Sequence, residues 1–212
     1  MEIYENIKTI GRTALIVGGL AGMLYASQPA KPSKVYRTTS QPTSDASTQS
    51  YSQHALKFME DFIAKSIHDY PLIKDFDGKD PPELKGERWF NAKSLSLGKL
   101  KGKVVVLNFW SPSLPLSDKQ MTYSQELWKG YKDKGLVVIG VQCSGAGNPD
   151  SVIEKYLRQH KITFPSVEDD DQNVARAYKV NTLPQTWLID KKGKVRTNVS
   201  LKQLLEEKVE KR

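Results

Sequence analysis

Val104-Val105-Val106-Leu107-Asn108-Phe109-Trp110-Ser111-Pro112-Ser113-Leu114-Pro115-Leu116-Ser117 is the stretch whose reading decides the fold. The aliphatic run Val104–Leu107 suits a strand covered on both faces. Asn108-Phe109-Trp110 extends it, and Pro112 interrupts it. Pro115 fits the first turn of a helix, where its missing N–H has no intrahelical partner to lose. The stretch therefore reads as buried strand, tight turn and helix start. A helix N-terminus favours anionic chemistry, but the residues offered there are Leu114-Pro115-Leu116-Ser117. Leucine cannot be a nucleophile, and serine is one only with a base beside it.

Outward from this stretch the chain keeps an α/β rhythm. Strands are predicted at Val104–Phe109, Leu136–Val141, Gln185–Ile189 and Val195–Asn198, and helices near Ser117–Lys132, Pro149–Gln159, Asn173–Tyr178 and Leu201–Lys211. Upstream, Leu56, Met59, Phe62, Ile63, Ile67 and Tyr70 recur at helical spacing before Pro71. That pattern predicts an amphipathic helix packed on the domain, followed by a loop over 75–85 with Gly78 and Pro81-Pro82.

Several of these segments together resemble one family. Lys99-Leu100-Lys101-Gly102-Lys103 before the valine run, Leu136–Val141, Phe164-Pro165, Val174–Val180 and Thr182-Leu183-Pro184-Gln185-Thr186-Trp187 look like the TlpA-like thioredoxin family of membrane-anchored thiol–disulfide oxidoreductases. The resemblance covers roughly residues 85–212. It implies a thioredoxin-like central sheet flanked by helices, with a cis-proline at Pro184 facing the turn. The family carries Trp-Cys-x-x-Cys in that turn, and here Leu114 and Ser117 stand in the cysteine positions. The expectation is a redox-inactive, non-enzymatic accessory or scaffold subunit of a membrane complex. Trp110, Leu114, Ser117, Leu183 and Pro184 would form a retained binding groove. The rival expectations are a one-thiol oxidoreductase or peroxidase-like enzyme using Cys143, and a chaperone-like module that binds peptides.

Cys143 is the single cysteine of the 212 residues. An intramolecular disulfide and a thiolate metal cluster are both excluded. Cys143 follows a strand and precedes Gly145-Ala146-Gly147, near a sheet end where α/β proteins place ligands. No metal or cofactor is expected. His54, His68 and His160 are scattered, and Asp169-Asp170-Asp171 lacks the alternating ligands of a calcium loop. Gly140, Gly145 and Gly147 make no phosphate-binding pattern.

Composition bounds the rest. Hydrophobic residues make up 38% and mean hydropathy is -0.52, low enough to predict that part of the chain is unpacked. The net charge is +8, densest over residues 191–212, a stretch with no aromatic residue. Nucleic-acid binding is not expected, because basic residues there lack bases' stacking partners. Residues Thr13–Ala26 carry no charge and predict a membrane anchor over 1–27, a cleaved signal peptide being the competing reading. Ala14, Gly18, Gly22 and Ala26 fall on one helix face, a strip that lets another membrane helix pack closely. Residues 28–53, rich in Ser, Thr, Pro and Gln, predict a flexible linker. Residues 54–84 would hold the amphipathic helix and loop, and 85–212 the thioredoxin-like domain. Partners are then the membrane and its other subunits, with the C-terminal domain placed outside the cytoplasm by the resemblance alone.

Overall fold

The computed structural model describes residues 45–86, 88–143 and 150–207. The predicted anchor and most of the predicted linker lie outside them. The chain divides into a unit of residues 1–41 and a unit of residues 42–212, and the described residues belong to the second.

The elements run in the order α1 (Asp45–Asp69), a 3-10 turn (Pro71–Phe76), β1 (Trp89–Phe90), β2 (Val104–Trp110), α2 (Pro115–Tyr131), β3 (Leu136–Gln142), α3 (Asp150–Gln159), β4 (Ser166–Glu168), α4 (Asn173–Ala177), β5 (Gln185–Ile189) and α5 (Leu201–Glu206). The five strands form one mixed sheet in the order β1-β4-β3-β2-β5. β2 and β3 are parallel from Val104↔Leu136 to Trp110↔Gln142, β4 is parallel to β3, and β1 and β5 run antiparallel at the two edges. This is the thioredoxin-like α/β arrangement that the family resemblance implied, with the valine run as its central strand.

Every residue of β2 is buried, and its side chains alternate between two cores. Val104, Val106 and Trp110 face one core with Met59 and Ile63 of α1, Met121 and Leu127 of α2, and Ile153 and Leu157 of α3. Val105, Leu107 and Phe109 face the other with Ile73, Leu97, Val174, Tyr178 and Trp187. Asn108 is the polar exception. Its amide donates to Ser124 Oγ (2.8 Å), and its carbonyl accepts from Thr186 Oγ1 (3.0 Å). Gln120 donates to the Gln185 carbonyl and to Thr186 Oγ1, both at 2.9 Å. These buried bonds tie α2 to β2 and β5, and each buried polar group so paired avoids a desolvation cost of about 1–3 kcal/mol.

Two predicted boundaries are corrected. Helix α1 begins at Asp45, so residues 45–53 of the predicted linker are helical. Their polar composition carries no apolar stripe, yet each residue added to an existing helix gains a backbone bond without a new nucleation cost. Ser52 also packs into the space left by Gly130, where a Cβ would lie 2.2 Å from Ser52 Oγ. Second, Val195–Asn198 forms no strand. Val195 makes one isolated antiparallel bridge to Ile189, and its N–H turns away to the Lys79 carbonyl (3.0 Å). The short strands β1 and β4 went unread, because two or three residues are too few to show a period.

Candidate functional site

The turn between β2 and α2 is held by its own backbone. Leu114 N–H donates to the Ser111 carbonyl (3.2 Å), and Ser117 N–H donates to the Leu114 carbonyl (2.9 Å). Leu114 is extended at the N-cap position and supplies no side-chain cap, and Pro115 opens the helix. Ser111 N–H donates to Ser117 Oγ (3.2 Å), so the buried serine hydroxyl ties the turn to the helix. That bond gives Ser117 a structural task, and its oxygen has no catalytic base for a partner there. Asp118 in the first turn complements the helix dipole and accepts from Tyr156 Oη (2.8 Å). Burial, reinforced by that bond and by the Asp118 charge, pushes the Tyr156 hydroxyl far above its ordinary value.

The five residues predicted for a binding groove divide by exposure. Trp110 is fully buried, its ring centroid 4.6 Å from that of Tyr156. Ser117 and Pro184 are buried as well, and the Leu183–Pro184 peptide is cis. Leu114 and Leu183 are half-buried, and Leu116, not singled out from the sequence, is 47% exposed. A ligand at the turn would therefore meet Leu114 and Leu116. Trp110 and Ser117 stand behind that surface as supports, because their own atoms are closed to a ligand. The helical register of α2 was the signal that could have found Leu116, since it lies one position before buried Ser117 on the outward side of the first turn.

Cys143 ends β3 one strand away from the turn. Its N–H donates to the Trp110 carbonyl (2.9 Å), immediately before Ser111. The half-buried thiol packs on the core that holds Phe109 and Tyr178, across the sheet from Trp110. Sγ lies 3.5 Å from the Val141 carbonyl and 3.9 Å from Asp169 Oδ2. Burial, then the Asp169 charge and the hydrogen bond to it, hold this thiol protonated well above its ordinary value. Asp169 is itself committed, accepting from Val174 N–H (2.9 Å) and Ala175 N–H (2.7 Å) at the start of α4. Asp171 bonds Asn173 in the same turn. Among the described residues no group of three or more His, Cys, Asp or Glu is arranged to hold a metal. The Gly145-Ala146-Gly147 loop lies outside them.

A groove of about 600 Å³ lies at the other end of α2, lined by Gln53, Leu56, Tyr131, Lys134 and Leu205 among others. It shares no residue with the turn.

Comparison with known proteins adds what geometry alone does not. A family model described as the AhpC/TSA family matches residues 73–198. The thiol-disulfide oxidoreductase ResA of Bacillus thuringiensis is 38% identical over 103 residues, 49% of this chain and 58% of that protein. The chain thus spans less than two thirds of that relative's length. The ResA protein of Halalkalibacterium halodurans is 34% identical over 131 residues, 60% of this chain and 69% of that protein. Among solved structures, the thioredoxin domain of a thiol-disulfide oxidoreductase from Bacteroides vulgatus is similar at TM-score 0.51 and 25% identity, over 61% of this chain and 92% of that one. A thioredoxin-like superfamily protein reaches TM-score 0.52 at 24% identity, over 61% of this chain and 97% of that one, a likeness of fold. These relatives correct the expectation of a redox-inactive, non-enzymatic accessory subunit built on a degenerate site. The proteins this chain resembles are named as oxidoreductases, and they support the rival thiol–disulfide reading.

Proposed function

Because the chain belongs to the AhpC/TSA family, we propose that it takes part in thiol–disulfide exchange, with Cys143 as the sulfur that reacts. The observation that carries this reading is the place of that thiol. It is the single cysteine of the chain, and its backbone is bonded to the residue that opens the turn. Leu114 and Leu116 offer an apolar surface at the turn on which an extended polypeptide could lie.

The exchange balances with one thiol and an outside partner. Cys143 loses its proton to solvent, its thiolate attacks one sulfur of a substrate disulfide, and the other sulfur leaves as a thiolate that takes up a proton. A second, external thiol then attacks the mixed disulfide, oxidising itself onto the substrate sulfur and restoring Cys143. The protein's own residues slow the first of these steps. Burial and Asp169 keep the thiol protonated, so the reactive fraction at neutral pH is small and rises with pH. A substrate that displaces the local packing, or a partner that brings a positive charge, would release the proton.

The charge-free segment Thr13–Ala26 suits a membrane tether, and the strip Ala14, Gly18, Gly22 and Ala26 suits contact with a second membrane helix. In this reading the domain works at a membrane surface, on its extracytoplasmic side. Among the described residues no helix is long and apolar enough to cross a membrane.

An aromatic disulfide reagent tests the exchange. The full chain, folded and at pH 8 to 9 (roughly where an ordinary thiol begins to ionise), is expected to release the reagent's thiol slowly and gain one adduct located at Cys143 by mass spectrometry. Cys143→Ala is expected to give neither. If the folded chain gives no adduct while the urea-unfolded chain reacts at once, the thiol is sealed in the native state and the proposal fails.

A further inference from the structure

Lysines crowd one end of the sheet, with Glu60 and Glu206 beside them in the groove that Lys134 lines. Three connections meet where β2 and β3 begin. Gly102 N–H donates to the Lys191 carbonyl (2.8 Å), and Val104 N–H donates to the Gly135 carbonyl (2.9 Å). A Cβ built on Gly193 would lie 3.5 Å from Lys101 Cε. Segments 99–103, 132–135 and 191–194 are thus neighbours, although they are far apart in sequence. They carry Lys99, Lys101, Lys103, Lys132, Lys134 and Lys192, all exposed, and Asp133 is the one acid within them. Two further lysines are already engaged: Lys191 bonds the Leu205 carbonyl at the end of α5 (3.2 Å), and Lys194 pairs with Asp80 (2.9 Å).

The start of α1 lies at this same end. Ser52 packs on Gly130 in the last turn of α2, and Gln53 and Lys134 line one groove. The far end of α1 points the other way, since Ser66 Oγ accepts from Thr186 N–H (3.4 Å) beside Gln120 and the helix start. The chain before Asp45, which includes the charge-free segment Thr13–Ala26, is therefore joined to the domain at its lysine end.

From these two observations we propose that the lysine end of the domain, formed by the connections before β2, before β3 and after β5, docks on an anionic lipid surface. The proposal rests on the membrane-tether reading above and adds to it an orientation and a lipid chemistry. Lysines reward proximity to anionic headgroups within about one Debye length, roughly 8–10 Å at physiological salt. A tether attached at that end leaves the lysines free to come within such a distance. The turn and Cys143 then face away from the membrane, because they sit at the opposite end of β2 and β3. A nucleic-acid strand fits this surface less well. It would need open aromatic faces to stack on, and the nearest rings are covered, Trp128 by Lys132 (5.1 Å) and Tyr131 by Lys134 (5.0 Å).

Lysine labelling of the full chain in nanodiscs tests this. Discs of phosphatidylcholine are compared with discs that also contain phosphatidylglycerol, and acetylation of each lysine is measured by mass spectrometry. Severalfold slower labelling of Lys99, Lys101, Lys103, Lys132, Lys134 and Lys192 in the anionic discs is expected, reversed by high salt, with Lys119 near the turn unchanged. In K101Q/K103Q/K134Q the three remaining lysines are expected to lose that protection. Equal labelling in the two lipids overturns the proposal, as does protection by an added oligonucleotide where anionic lipid gives none. Recovery of the chain outside the discs retires the tether reading, and flotation of the same chain with vesicles then decides the docking. Flotation with anionic but not neutral vesicles supports it, and flotation with neither overturns it.

Discussion

The two ends of the sheet differ in composition and in what holds them. Where β2 and β3 end, the chain places Trp110, the turn, Cys143 and the carboxylates Asp118, Glu168 and Asp169. Trp110, Glu168 and Asp169 are buried, Asp169 accepts from backbone N–H groups, and Asp118 accepts from the Tyr156 hydroxyl. Where the same strands begin, it places lysines whose heads stand in solvent. Parallel strands send their connections alternately to one end and the other, so residues from distant segments gather by strand direction. The ends are thereby free to differ. One is built by packing and carries the single thiol, and the other is an electrostatic surface that costs the fold little.

The largest test of that contrast restores the family's dithiol at the turn end. Leu114 and Ser117 are three residues apart at the helix start and joined by a backbone bond of 2.9 Å. L114C/S117C is expected to close an intramolecular disulfide on oxidation and to reduce insulin faster than the natural chain by about tenfold or more, since a helix N-terminus favours a thiolate. A double variant whose two thiols stay free under oxidising conditions would show that this turn lacks the family's geometry.

Next in size is the packing itself. Trp110→Ala removes a fully buried indole between Met121 and Tyr156 and is expected to cost about 3–5 kcal/mol, read from the urea midpoint. A loss below about 1 kcal/mol would mean the turn end is not the rigid one.

Alkaline pH is expected to weaken the same end by a graded amount, smaller than the Trp110→Ala loss up to about pH 10. The ordinary values are 9.0 for Cys143 and 10.0 for Tyr156 and Tyr178, and burial raises all three in the folded chain. Each group's contribution is fully present below its ordinary value and is lost as pH rises above it, because only the unfolded chain then sheds the proton. Stability should fall by about 1.4 kcal/mol per pH unit for each group in that window. Melting curves between pH 7 and 11 follow it, and Cys143→Ala should remove the earliest part of the decline. A flat profile would sink the assignment.

The smallest effect belongs to the lysine end. Lys101→Gln and Lys132→Gln are each expected to change stability by less than about 0.5 kcal/mol, measured by the same urea midpoint. A larger loss would show that these side chains hold the fold together, which would leave them poorly placed to serve as a docking surface.

Much of this was legible in the chain. The run Val104–Leu107 showed a strand covered on both faces, and β2 is buried at every position. The spacing of Leu56, Met59 and Ile63 showed the packed face of α1, and all three are buried. The break at Pro71 and the helix start at Pro115 fall where those prolines predicted. The groove was only partly legible. Trp110, Ser117 and Pro184 were picked for their place in the resembled family's motif, yet they are buried, and exposed Leu116 was passed over. Burial at a turn depends on which distant element covers it, and here Tyr156 of α3 packs on Trp110.

The sequence by itself determined the strand, turn and helix around Trp110, the leucine and serine at the helix start, the solitary Cys143 and the excess of positive charge. These are matters of local backbone preference and of composition, and no folding is needed to read them. The tertiary structure alone decided that the Cys143 thiol is pushed above its ordinary value by burial and Asp169, that residues 45–53 are helical, and that six lysines from three separate segments share one end of the sheet. Desolvation, and the company that charges keep, depend on contacts between residues as distant as Glu60 and Lys202. Such contacts arise only when hydrophobic burial closes the chain around the sheet, and no short-range pattern encodes which segments will then lie together.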